Sequence, residues 1–119
     1  MKEIILLSTI IILLDAIFLY VVSYLFIPMI ISIQKEGFQL NYFAAFIAYL
    51  FIIFQVYYFI IIPKSSLLFA FLLGTTTYGI YEFTNYSVIK NWNILVASID
   101  TLWGGILYLL TTYFFRIFT

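Results

Sequence analysis

The chain has 119 residues, of which 66% are hydrophobic and 8% are charged, and its formal net charge is zero. Soluble domains are about half apolar and about a quarter charged, so this composition, with a mean hydropathy of +1.20, indicates an integral membrane protein. Because histidine and cysteine are absent, disulfides, thiolate nucleophiles and His- or Cys-based metal sites are excluded. Only oxygen ligands would remain for a metal ion, and we assign no metal site and no cofactor. The lack of a basic cluster argues against nucleic acid as a partner.

Four apolar stretches are each long enough to cross the hydrocarbon core of a bilayer, which takes about 20 helical residues. The sequence therefore predicts an all-α fold in which a single transmembrane domain, residues 1–119, forms a four-helix up-down bundle. The predicted helices lie near residues 4–27, 42–62, 65–83 and 94–115. The first apolar run is too long for a signal peptide and no cleavage site follows it, so we interpret it as a retained helix.

The first helix carries Asp15 near its middle, and Pro28 is predicted to end it. An acid at this depth costs roughly 2.5–3.5 kcal/mol on an insertion scale, which the surrounding Ile and Leu residues can offset. We therefore expect Asp15 to face the bundle and not lipid. In the second helix, which ends at Pro63, Gln55 is expected to link helices. The serines that follow can cap the third helix, so the second and third helices are predicted to be antiparallel neighbours.

The third and fourth helices each carry polar residues on one face. Tyr78, Glu82 and Asn85 are spaced by four and three residues, which places them on one side of the third helix. Asp100 and Trp103 share a face of the fourth helix, where a glycine pair permits close helix approach. We expect these two faces to meet. The candidate binding residues are Asp15, Tyr78, Glu82, Asn85, Asp100 and Trp103.

No lysine or arginine lies at membrane depth to neutralise the three acids. Burial and like charge both favour the protonated form of a carboxyl group, so buried acids must be protonated or must share a cation. The pattern predicts a site for a proton, a cation or the polar end of a lipid-like ligand, and we assign no catalytic residue.

Three alternatives remain open at the level of sequence. The acids could do no more than hydrogen-bond the helices together. The protein could be a structural component of a larger assembly, including a virion membrane. It could also be a lipid-modifying intramembrane enzyme, a less favoured class because no nucleophile motif, phosphate loop or redox-cofactor signature is present.

The basic residues give a prediction of topology. With four spans, Lys2, Lys64 and Arg116 lie on the face of the termini, against Lys35 and Lys90 on the other, which favours cytoplasmic termini. Abundant Ile, Phe, Tyr, Asn and Lys are typical of AT-rich coding, so we expect a bacterial cell membrane or, for a viral protein, a host or virion membrane. The expected partners are the lipid bilayer, other membrane proteins and further copies of the chain, because four helices alone enclose only a narrow pore.

Three short motifs follow one another along the chain: Leu14-Asp15, then Tyr81-Glu82-Phe83-Thr84-Asn85 with Trp92, then Ile99-Asp100 with Trp103-Gly104. In order and spacing they resemble the multi-pass membrane family called domain of unknown function 2177. That family's pattern is a leucine-aspartate, a YDxTN segment with a later tryptophan, and a valine- or isoleucine-aspartate followed by tryptophan-glycine. The resemblance implies a small helical membrane protein and no established activity.

The chain departs from the family pattern at two positions. Glu82 replaces the usual aspartate, which keeps the carboxyl group but places it on a longer side chain. Phe18 stands where the pattern has a tryptophan, so an indole N–H donor is missing three residues after Asp15. The second departure puts in question any hydrogen bond that this donor would make.

Overall fold

In the computed structural model, which describes all 119 residues, the chain folds into four antiparallel α-helices within 45 × 25 × 21 Å. The helices are α1 (Lys2–Gln34), α2 (Tyr42–Val56), α3 (Leu67–Val88) and α4 (Ile94–Phe118), and no strand is present. A single π-helical turn, Tyr57–Ile61, prolongs α2. The predicted all-α, up-down architecture is confirmed.

Three of the helices, α1, α4 and α2 with its π-helical turn, are long and apolar enough to cross a membrane. Helix α3 is less apolar because it carries Glu82, Asn85 and a run of threonines. Its 22 residues nevertheless extend for about 33 Å at 1.5 Å per residue, which exceeds the hydrocarbon thickness of about 30 Å. Length alone therefore allows α3 to cross beside α4.

Helix α1 continues through Pro28 to Gln34, so the prediction that Pro28 ends this helix is wrong. A proline inside a transmembrane helix removes one backbone hydrogen bond, which is tolerated where neighbouring helices hold the segment in place. Here Met29, directly after the proline, is buried against Trp92. Tertiary packing thus stabilises the helical conformation beyond the proline. The helix ends at Lys35, which adopts the left-handed conformation with φ of 58°.

Side-chain caps begin the other three helices. The side chains of Asn41, Ser66 and Asn93 accept hydrogen bonds from backbone N–H groups in the first turns of α2, α3 and α4. Helix α3 ends at Val88, beyond the predicted end at residue 83. The polar residues Thr84, Asn85 and Ser87, which lie beyond the predicted end, are therefore part of the helix.

Two apolar clusters fill the bundle. The cluster nearer the termini contains Leu7, Ile10, Ile11, Val56, Ile60, Ala70, Leu107, Tyr108 and Phe115. The cluster nearer the α3–α4 loop contains Met29, Trp92, Val96 and Ala97. Asp15 and Asp100 fall between these clusters along α1 and α4 respectively. The acids therefore lie between two apolar layers.

Helices α3 and α4 form the closest pair in the bundle. A Cβ atom added to Gly74 would lie 2.1 Å from the carbonyl oxygen of Gly104, and one added to Gly104 would lie 2.4 Å from Cγ of Tyr78. Gly104 of α4 thus meets Gly74 of α3, whose role the sequence did not reveal. The two helices also bring Asp100 and Glu82 to the wall of one cavity.

Candidate functional site

Asp15 is held by hydrogen bonds from two other helices. The Tyr49 hydroxyl donates to Oδ2 at 2.5 Å, and the indole N–H of Trp103 donates to Oδ1 at 2.9 Å. The side chain is only 8% exposed. Each carboxyl oxygen of Asp15 thus accepts one hydrogen bond from a donor on another helix. Asp15 thereby joins α1 to α2 and α4.

The Trp103 ring is stacked on Phe18, with ring centroids 4.4 Å apart and planes 2° from parallel. The family pattern has a tryptophan at the position of Phe18, which raised the question of a missing indole donor. In the structure, Trp103 donates an indole N–H to Asp15 and Phe18 packs against that indole. The aspartate therefore has an indole donor even though residue 18 is phenylalanine.

Glu82 is the most deeply buried acid, at 1% exposed, and it accepts the indole N–H of Trp92 on Oε1 at 2.9 Å. Asp100, on the facing helix α4, lines one cavity together with Glu82. Two ionised carboxylates cannot hydrogen-bond each other, because each only accepts, and their like charges repel. A proton or another positive charge near the two acids would relieve that repulsion.

Trp92 turns its side chain into the bundle. The side chain is only 8% exposed, and it packs with Met29 and Val96 in the cluster near the α3–α4 loop. Its indole N–H donates to the buried carboxyl group of Glu82, so the polar group of the ring has a partner inside the bundle.

The three acids line one partly open cavity of about 190 Å³ between α1, α3 and α4. Tyr78 and Tyr81 stand beside the acids on α3, and nine of the twelve lining residues are hydrophobic. The α1 wall consists of Phe18, Leu19, Val22, Leu25 and Phe26. An apolar cavity with a few convergent polar groups is the usual form of a small-molecule site in a protein.

The candidate residues fall into three positions relative to this cavity. Asp15, Tyr78, Glu82 and Asp100 line it. Trp103 contacts it through Asp15 and Phe18. Asn85 is not among the lining residues, and it lies one helical turn beyond Tyr81, within reach of the Tyr81 hydroxyl. Tyr81, which the sequence did not single out, takes the place at the cavity that was predicted for Asn85.

Tyr49 is the other contributor that the sequence did not identify. It is one of 11 tyrosines, and its position opposite Asp15 depends on how α1 and α2 are aligned across their connecting loop. No local pattern marks it. The expectation for Gln55 is confirmed, because its amide N–H donates to Thr77 at 2.9 Å and its carbonyl accepts from the Tyr108 hydroxyl.

No basic side chain lines the cavity that holds the three acids. All five basic residues are exposed and lie at helix ends or in the connections between helices. No group of three or more acidic side chains is arranged to hold a metal ion. The cavity thus presents three carboxyl groups in apolar surroundings.

A family model described as a predicted membrane protein, DUF2177, matches residues 1–115 of the chain. The match covers every residue that lines the cavity. No curated protein and no solved structure matches the chain.

Proposed function

The chain belongs to the DUF2177 family of predicted membrane proteins, and we propose that it binds a small cationic or hydrogen-bond-donating group inside the membrane. The bound group is a proton or the polar end of a lipid-like molecule, and the acceptors are Glu82, Asp100 and Asp15. One observation carries this proposal: Asp15, Glu82 and Asp100 line one partly open, largely apolar cavity.

The protonation chemistry of the three acids supports this choice of ligand. Asp15 accepts hydrogen bonds from two donors, whereas Glu82 accepts one indole N–H. Leaving an unpaired charge buried in apolar surroundings costs several kcal/mol. A proton or an ammonium group would neutralise such a charge, and a hydroxyl group would donate a hydrogen bond to a carboxyl oxygen. A phosphate or carboxylate end would bring a further negative charge and is disfavoured.

The shape of the cavity supports the lipid-like part of the proposal. A dry cavity of about 150 Å³ holds a benzene molecule, so about 190 Å³ accommodates a polar end and a few carbon atoms. The rest of such a ligand would extend through the opening along the apolar α1 wall. Tyr78 and Tyr81 would then contact the polar end from α3.

We further propose that the termini are cytoplasmic. Lys2, Lys64 and Arg116 lie at the end of the bundle that holds both termini, and Lys35 and Lys90 lie at the other. Cytoplasmic connections carry the excess of Lys and Arg in multi-pass membrane proteins. The labelling experiment described in the Discussion tests this orientation.

The protonation of the pair is testable by pH-difference infrared spectroscopy on protein reconstituted in bilayers. We expect a carboxyl C=O band that disappears as the pH is raised, and we expect Glu82→Gln and Asp100→Asn each to alter it, because acids that line one apolar cavity influence each other's ionisation. Glu36→Gln, a change in the exposed loop after α1, is the matched control and should leave the band unchanged.

The ligand class is tested on the same samples by adding a long-chain alkylamine, a long-chain alcohol or an alkyl phosphate. In Trp103→Phe protein, Trp92 is the remaining tryptophan and reports directly on Glu82. The amine should shift both the carboxyl band and the Trp92 emission, the alcohol should act more weakly, and the phosphate should have no effect. If both carboxyls keep their protons at every pH and both amide variants are as stable as the natural chain, the acids only link helices and the proposal fails.

A further inference from the structure

A second cavity, of about 420 Å³, opens at the end of the bundle that holds both chain termini. It is formed by the start of α1, the turn between α2 and α3, and the end of α4. Its lining residues are Glu3, Ile61, Lys64, Phe115, Arg116 and Thr119. The cavity is separate from the carboxylate site, because the apolar cluster nearer the termini lies between them.

Two cations converge on this cavity. Lys64 lies in the turn after α2 and is exposed, with a left-handed backbone φ of 56° that places it outside both helices. Arg116 lies in the last turn of α4, and its guanidinium donates to the backbone carbonyl of Ser65. That acceptor is neutral, so the contact positions the guanidinium and leaves its positive charge uncompensated.

The base of the cavity is apolar. Phe115 is only 4% exposed and belongs to the cluster nearer the termini, and Ile61 packs against the same cluster. The end of a transmembrane bundle lies at the level of the lipid head groups. Lysine and arginine side chains at this level pack their apolar stems on the protein and extend their charged groups toward water.

The charges of the side chains that line the cavity indicate the charge of the ligand. Glu3 is the acidic side chain in the cavity, and together with Lys64 and Arg116 it gives the lining side chains one net positive charge. A phosphodiester carries one negative charge. The planar guanidinium of arginine donates two parallel hydrogen bonds to phosphate oxygens, while a lysine adds a point charge. Basic pockets between transmembrane helices bind anionic lipid head groups in this way.

We propose that this cavity binds the phosphodiester of an anionic phospholipid. Arg116 and Lys64 hold the phosphate oxygens, and Ile61 and Phe115 contact the upper part of the acyl chains. Glu3 lowers the positive charge of the lining side chains and opposes ligands of higher negative charge.

The test measures binding of short-chain phosphatidylglycerol to the detergent-solubilised full chain by native mass spectrometry. Lys64→Gln should weaken binding roughly five-fold, since each basic residue near a membrane surface contributes about 1 kcal/mol. Glu3→Gln should strengthen it by a similar factor. Lys90→Gln, at the other end of the bundle, is the matched control and should leave binding unchanged.

Two further ligands separate the possible sources of phosphate. Phosphatidylcholine, whose head group has no net charge, should bind more weakly than phosphatidylglycerol. Inorganic phosphate should not displace the lipid at millimolar concentration. Equal binding of the two lipids, or displacement of the lipid by free phosphate, would overturn the assignment.

The variants keep the proposal open to refutation even where one of them fails to fold. Arg116→Gln removes the bond to Ser65 as well as a charge, so its loss of binding counts only if its thermal stability is unchanged. Lys64 makes no side-chain bond that the fold depends on, so Lys64→Gln isolates the charge. Equal loss of binding in Lys64→Gln and Lys90→Gln would assign the effect to overall charge and would refute the cavity as the binding site.

Discussion

The two tryptophans have matching roles although they lie in different parts of the chain. Trp103 donates to Asp15 and Trp92 donates to Glu82, each at 2.9 Å. A buried carboxyl group without hydrogen bonds would be costly in an apolar bundle, so these indole donors make the acids tolerable. Asp15 differs from Glu82 in having a second donor, Tyr49, from a third helix.

Removing that second donor should measurably weaken the bundle. We expect Tyr49→Phe to lower the free energy of unfolding by about 0.6 kcal/mol and at most by about 1.7 kcal/mol, the range found for hydrogen bonds between transmembrane helices. Reversible unfolding in mixed micelles measures this change. Tyr42→Phe, at an exposed position of the same helix, is the control and should have no effect. An equal change in both variants would show that the Tyr49 hydroxyl does not support Asp15.

At the scale of helices, the position of the Glu82–Asp100 pair depends on how closely α3 approaches α4. Gly74 and Gly104 lie at the point of closest contact, where any Cβ atom would collide with backbone or ring atoms of the facing helix. In a membrane the hydrophobic effect does not drive helices together, so van der Waals packing becomes important. Small residues at such points allow the helices to pack closely. The glycines and the carboxyl pair therefore belong to one interface.

A methyl group at Gly74 tests this interface. We expect Gly74→Ala to lower the free energy of unfolding by about 1–3 kcal/mol, the range for overpacked cores, because its Cβ would lie 2.1 Å from the Gly104 carbonyl oxygen. It should also alter the shared carboxyl band of Glu82 and Asp100 in infrared spectra. Gly79→Ala, on the same helix, is the control. Its Cβ would lie 3.3 Å from a methyl group of Thr101, a contact that a small shift relieves.

The comparison of Gly74→Ala with Gly79→Ala distinguishes an effect of packing from an effect of helix propensity. Alanine favours helix over glycine by about 1 kcal/mol, so propensity alone would make both variants more stable. A Gly74→Ala protein as stable as Gly79→Ala, with an unchanged carboxyl band, would mean that the close approach of α3 and α4 does not position the acids.

At the scale of the whole molecule, the bundle has two apolar clusters with a polar layer between them. It also has two separate cavities. The carboxylate cavity lies in the polar layer, and the basic cavity lies at the end of the bundle. This arrangement depends on α3 crossing the membrane with the other helices, although α3 is the least clearly apolar of the four.

Cysteine labelling tests that crossing, because the natural chain has no cysteine. In single variants Gln39→Cys, Ser87→Cys and Thr119→Cys, all at exposed positions, a membrane-impermeant maleimide should label residues 39 and 87 from one side and residue 119 from the other. Residue 119 should react from the cytoplasmic side. If α3 does not cross, residues 39 and 119 will label from the same side and residue 87 from the opposite side.

The sequence by itself determined the membrane class, the helix count and the three acids, because hydrophobic length and the cost of charge in a bilayer are local properties of the chain. It did not determine that α1 passes Pro28, that Trp92 turns inward to Glu82 or that Tyr49 reaches Asp15. Those features depend on the rotation and alignment of helices that are distant in sequence. Close contacts such as that between Gly74 and Gly104 set this alignment, so only the tertiary structure decides which residues meet.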